Sequence, residues 1–142
     1  MLNFEENKHT MKHKGSISEA LTERNEVITD MYRELKRTCD YSSIYAICEA
    51  ISIMPADRYY ISEAMAVIVW SKYRKTKTLP ENTSFYKRKM YLSLIEKCER
   101  MLEEYPDMCY KHIIREVLEE PAPCLGISPH QIFIVVKKKG MK

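Results

Sequence analysis

Pro55-Ala56-Asp57-Arg58-Tyr59-Tyr60-Ile61-Ser62 and Pro121-Ala122-Pro123-Cys124-Leu125-Gly126-Ile127-Ser128 are two stretches of equal length that open on Pro-Ala and close on Ile-Ser. Each has the same physical logic. The residue before a proline is pushed out of the helical region, so a helix ends there. A small alanine then lets the chain pass close to its surroundings. An apolar stretch follows, and serine caps the next helix, its oxygen accepting from an otherwise unpaired N–H of the first turn. The isoleucine before the cap is placed to staple onto that turn. Ile127 and Ile132 are spaced for this contact, whereas Ile61 would face the smaller Ala66.

The likeness extends to both sides. AMAVIVWSKYRK follows the first stretch and HQIFIVVKKKGM the second, and upstream Met31-Tyr32 and Cys39 match Met90-Tyr91 and Cys98. The offset is 59 residues there and 66 at the prolines, so the second copy is longer by about two helical turns. Matches in a common order predict an internal duplication. The fold expected is all-α: two divergent three-helix units, 17–76 and 83–140, packed through their apolar faces as one six-helix domain. Residues 1–16, polar and without hydrophobic period, read as a mobile tail.

The string Pro55 to Ser62, with its arginine, two aromatics and Ile-Ser before a helix carrying alanine in its first turn, resembles a motif of small uncharacterised helical proteins from gut Bacteroidales and their phages and mobile elements. The likeness covers about residues 28–140. It is clear in the first copy and decayed in the second, where Cys124, Leu125 and Gly126 stand in place of the arginine and aromatics. It implies an architecture and a setting, and assigns no activity.

The element boundaries follow from caps and breakers. Ser18 opens a helix with apolar positions at Leu21, Val27, Met31 and Leu35, and a second runs from about Ser43 to Met54. Ser62 caps a third, from Glu63 to about Lys75. Thr83 is the expected cap of a long helix reaching about Glu104, and Pro106-Asp107 of the next, through Leu118. Ser128, with Pro129 at the first helical position and Gln131 completing a capping box, starts the last helix, which Gly140 stops.

Composition bounds the rest. At 142 residues and 45% apolar content the chain can bury a core, and only three glycines leave little turn chemistry for a β protein. No apolar run approaches the roughly 18 residues of a membrane span, and the N-terminus lacks the apolar core of a signal peptide, so a cytoplasmic location is expected. Five cysteines (Cys39, Cys48, Cys98, Cys109, Cys124) form no C-x-x-C pair and read as small hydrophobes. His9 and His13 have i, i+4 spacing but no acidic or cysteine partner in register, and His112 and His130 lie elsewhere, so no metal site is expected. No Ser-His-Asp order, P-loop or dinucleotide fingerprint is present. Neither a cofactor nor an enzymatic activity is expected.

Charge layout supplies the candidate sites. Between Lys72 and Lys89 stand seven basic residues (Lys72, Arg74, Lys75, Lys77, Lys87, Arg88, Lys89) and one acid, Glu81, interleaved with Tyr73, Phe85 and Tyr86. Lys137, Lys138, Lys139 and Lys142 close the chain, whereas residues 96–120 carry eight acids against four bases. Cations release counterions at phosphates and aromatics stack on bases, so DNA or RNA is the leading partner. The plain alternative is that helix C-termini favour cations and charge runs are solvated faces. A helix-turn-helix would insert Glu63–Lys75 or Pro129–Lys139 into the major groove. Both helices start very apolar, where base-reading residues belong, and the preceding loop is longer than the usual turn. Arg58, Tyr59 and Tyr60 are the candidate protein-partner anchors, since arginine and tyrosine are frequent in binding hot spots. As structural residues they would cover the seam between units, with Arg58 bonded to helix-end carbonyls. The competing function is thus a protein-interaction or inhibitor module that binds no nucleic acid.

Overall fold

The structure is a computed structural model that describes residues 17–140. The N-terminal 16 residues, with His9 and His13, and Lys142 at the other end lie outside the described residues. Six helices follow one another: α1 (Ile17–Thr38), α2 (Ile44–Ser52), α3 (Glu63–Thr76), α4 (Phe85–Glu104), α5 (Tyr110–Leu118) and α6 (Pro129–Lys138). None is long and apolar enough to cross a membrane.

Local chemistry accounts for the boundaries. The hydroxyls of Ser43, Ser62 and Ser128 each accept from the backbone N–H three residues on, and Ser128 and Gln131 form the reciprocal capping box. Two starts differ from expectation. Ser84, not Thr83, caps α4: its hydroxyl accepts from Lys87 N–H, while Thr83 Oγ1 donates to the Pro80 carbonyl at 2.5 Å and so belongs to the preceding turn. Helix α5 begins at Tyr110 instead of at Pro106-Asp107, after a turn in which Met108 N–H reaches the Tyr105 carbonyl. Gly126 holds φ 80°, a left-handed conformation that glycine adopts without penalty, where a Cβ would also press on the Met90 thioether.

The six helices pack as two closed triads, and these cut across the order of the chain. Helices α1, α2 and α6 contact one another, as do α3, α4 and α5. Of the helices in segment 17–76, the third thus lies against those of segment 83–140, and α6 makes the reciprocal exchange. Each triad has its own anchors. In one, Tyr45 meets Phe133 at 6.4 Å; in the other, Trp70 stacks on Tyr110 at 4.7 Å.

The two Pro-Ala stretches cross between the triads. Ala56 and Ala122 form an antiparallel bridge, each N–H donating to the other's carbonyl at 3.0 Å, outside any strand. Both alanines are buried, which explains their small size. Tyr59 N–H continues the crossing by donating to the Leu118 carbonyl at 3.1 Å. Three residues beyond each alanine stand Tyr59 and Leu125, both fully buried, in one core shared with Ile28, Tyr32, Leu94, Ile113 and Ile132.

Candidate nucleic-acid interface

The basic run Lys72–Lys89 divides between the end of α3 and the start of α4. Arg74 sits at the end of α3, where Nη1 meets Glu99 Oε2 at 2.7 Å and the guanidinium lies over the Trp70 and Tyr110 rings at 6.0 and 5.7 Å. Glu99 also accepts from Trp70 Nε1 at 2.8 Å. Burial alone would push the Glu99 carboxyl up. The hydrogen bonds from Trp70 and Arg74, with the charges of Arg74 and Lys77, outweigh it and hold the group below its ordinary value. Arg74 is therefore a clamp joining α3, α4 and α5. Lys77, in the left-handed conformation at the end of α3, lies over the Tyr73 ring at 5.3 Å. Lys75 is exposed and Lys72 half-buried.

The remainder of the run belongs elsewhere. Lys87 and Glu99 are twelve positions apart on α4, about 18 Å along the helix at 1.5 Å per residue. Arg74 thus lies with Glu99, well along α4 from Lys87, Arg88 and Lys89 at its start.

Lys87 is instead near enough to Arg24 of α1 to feel its charge. Its amine is pushed below the ordinary lysine value, first by burial and then by the like charge of Arg24. Burial lowers Arg24 as well, and its guanidinium donates to Asn25 Oδ1 from Nε and Nη2 at 3.2 and 3.1 Å. Arg24 and Asn25 line a groove of about 510 Å³ with Gln131, Ile134, Lys138 and Lys139, which follow one another along α6 and its C-terminal cap. Lys137, beside them in sequence, lies over the Phe133 ring at 6.0 Å. Among the described residues no carboxylate lies within 4.0 Å of Arg24, Lys87, Lys138 or Lys139.

The consequence is chemical. Half-buried cations without a counter-charge bear desolvation and mutual repulsion, both of which an incoming anion relieves. Arg24 brings a planar guanidinium, part of whose donor set Asn25 already engages, and the lysines bring point charges. The groove joins α1 and α6, with Lys87 of α4 linked to it through the charge of Arg24. Arg24 has no signature in the sequence, because Glu23 and Glu26 flank it and neutralise the local charge count.

The Arg58-Tyr59-Tyr60 segment is internal. Tyr59 and Tyr60 are buried, and the Arg58 side chain is 11% exposed. Arg58 Nη1 meets Glu23 Oε1 at 2.5 Å, so its partner is a carboxylate on α1 and not a helix-end carbonyl. Tyr60 donates to Asp57 Oδ1 at 2.6 Å under the guanidinium, 5.3 Å from its ring. Burial and that hydrogen bond push the Tyr60 phenol well above the ordinary tyrosine value. Tyr59 Oη shares a 2.5 Å hydrogen bond with Ser93 Oγ, and Lys97 covers its ring at 5.2 Å. As anchors on an open surface these residues are corrected to a clasp that fixes the crossing stretch to α1 and α4. Helices α3 and α6, the candidate reading heads, turn Ala66, Val69 and Trp70, and Ile132 and Val136, into the core.

Compared with protein families, with curated proteins and with solved structures, the chain matches none.

Proposed function

We propose that the protein associates with nucleic acid through the basic cluster Arg24, Lys87, Lys138 and Lys139, in the role of a small regulatory protein of a bacterial mobile element or phage. The observation that carries the binding reading is a groove lined by the half-buried Arg24 with Lys138 and Lys139, with the half-buried Lys87 near enough to Arg24 to feel its charge, and, among the described residues, no carboxylate within 4.0 Å of any of these cations. Phosphates are the ligands such a cluster suits, and the neighbouring Lys137 extends it along α6. The biological setting rests on the Pro-Ala-x-Arg-aromatic-aromatic-Ile-Ser resemblance alone. Duplication of an ancestral three-helix unit accords with the ordered sequence matches. The Ala56–Ala122 pairing and the shared burial of Tyr59 and Leu125 support it.

The test is fluorescence anisotropy of a labelled mixed-sequence DNA duplex and an RNA hairpin, titrated at low and moderate salt. Three to four phosphate contacts predict an affinity loss on the order of 100-fold between 50 and 200 mM salt on duplex DNA. Arg24→Glu with Lys138→Glu and Lys139→Glu should abolish binding, whereas Lys72→Glu with Lys75→Glu should leave most of it. No binding at low salt, or binding indifferent to the triple change, would overturn the reading.

The second reading, a protein-interaction or inhibitor module, is favoured by a separate feature. Ile53, Phe85 and Leu92 are exposed apolar side chains on one groove remote from any core role.

A further inference from the structure

The start of α4 presents Phe85, Arg88, Lys89 and Leu92, at i, i+3, i+4 and i+7, which places them on one helix face. With Ile53, the residue that ends α2, and the buried Cys124 they line a groove of about 420 Å³. Ile53 is 73% and Phe85 80% exposed. Single exposed apolar residues are ordinary, but a contiguous set around one concavity marks a contact surface. The fold itself asks little of Phe85: its ring meets that of Tyr86 edge-on at 5.3 Å, and it stands outside the core. Arg88 and Lys89 are exposed, and among the described residues neither meets a carboxylate within 4.0 Å.

We infer that this groove docks an acidic amphipathic helix of another protein, whose apolar side chains enter between Ile53, Phe85 and Leu92 and whose carboxylates meet Arg88 and Lys89. Charge complementarity selects the occupant: the paired cations Arg88 and Lys89 stand between the apolar Phe85 and Leu92 on the helix face, so the partner must set acids between its apolar residues. In helix-in-groove recognition the bound helix inserts apolar anchors spaced i, i+3, i+4 and i+7 into such a groove. A nucleic acid is the poorer fit, since two of the three exposed apolar side chains are aliphatic and offer no stacking face. The inference does not depend on the basic cluster around Arg24, which uses other side chains.

The test is anisotropy of a labelled, designed sixteen-residue helical peptide with leucine at i, i+3 and i+7 and glutamate flanking them, on the full-length protein. Binding at tens of micromolar or tighter is expected. Phe85→Ser should weaken it at least tenfold, with unchanged circular dichroism because Phe85 is so exposed. Arg88→Glu with Lys89→Glu should do the same and transfer preference to the peptide with lysine in place of glutamate. Arg24→Glu with Lys138→Glu should leave peptide binding unchanged, which separates this inference from the nucleic-acid reading. Absence of peptide binding, or binding indifferent to Phe85→Ser, overturns the proposal. It is equally overturned if Phe85→Ser abolishes duplex binding that the peptide cannot compete, which would make the face a nucleic-acid surface. Concentration-dependent self-association that Phe85→Ser abolishes would overturn it too, by making a second copy the occupant.

Discussion

Ala56 and Ala122 exchange both of their backbone hydrogen bonds, at 3.0 Å each way, and so join the two Pro-Ala stretches 66 positions apart in the chain. An isolated pair of such bonds contributes little by itself, since each replaces a bond to water. Its importance is steric. Both Cβ atoms are buried at the crossing, and a longer side chain there would press on the core from which Tyr59 and Leu125 are built. Ala122→Leu should cost about 2 kcal/mol through overpacking. Chemical denaturation would register this as a lower midpoint at unchanged slope.

Two buried tyrosines have opposite polar fates. Tyr59 Oη is hydrogen-bonded to Ser93, whereas Tyr32 Oη is buried with no hydrogen-bond partner among the described residues. Removing one member of a satisfied pair leaves the other short, while removing an unsatisfied hydroxyl relieves a desolvation cost. Tyr59→Phe should therefore destabilise by about 1 kcal/mol, and Tyr32→Phe should be neutral or stabilising. Thermal melts of both variants decide this by the sign of the difference.

Glu99 links stability to pH. Its carboxyl lies below the ordinary value of 4.5 in the folded protein, so the unfolded chain binds its proton first as pH falls. The stabilisation is then fully present above about pH 5 and is lost as pH drops through the folded value. The fall in stability on acidification should be shallower in Glu99→Gln than in the parent. Denaturation midpoints measured at several pH values between about 3 and 6 would show it. Equal slopes would mean that the Trp70-Arg74-Glu99 clamp does not couple to folding.

What the sequence disclosed and what it hid follow from the range of the physics involved. Ser62, Ser128 and the Gln131 capping box were legible because a cap is settled within four residues. The helical periods were legible for the same reason, as in Met90, Leu94 and Cys98, all buried on one side of α4. The exchange of α3 and α6 was not, because an apolar face does not specify which other apolar face covers it. Nor was the basic cluster. Lys72 to Lys89 looks continuous when counted along the chain, yet Arg74 packs at Glu99 while Lys87 feels the charge of Arg24. Arg24 itself is masked by neighbouring acids, and only tertiary packing brings it to Lys138 and Lys139.

The cysteines divide by environment. Cys48, Cys98 and Cys124 are buried, and the Cys98 thiol is pushed up to about 12 by burial and by the charges of Glu99 and Glu120. Cys39 and Cys109 are exposed. Only the thiolate reacts, so alkylation of the native protein near neutral pH should label Cys39 and Cys109 quickly and the other three at the rate of unfolding. Mass spectrometry of peptides after timed labelling would read this directly. Fast labelling of Cys98 would contradict the closed α3-α4-α5 triad.

That triad has a consequence for folding. Helices α4 and α5 find their third partner, α3, in the other segment of the chain, and α1 and α2 find theirs in α6. A fragment ending at about Thr78 holds α1, α2 and α3 but lacks α6, so the apolar faces that Ile47, Cys48 and Ile51 turn inward stay uncovered. Helices as short as the nine residues of α2 are marginal in water without such cover. Fragments 1–78 and 79–142 should each show little helix alone. Mixed in equal amounts they should recover most of the parent's helical circular dichroism and a cooperative melt, because each supplies the other's third helix. If either fragment alone melted cooperatively near the parent's midpoint, its three helices would close upon themselves. The exchange between segments would then not be what stabilises the fold.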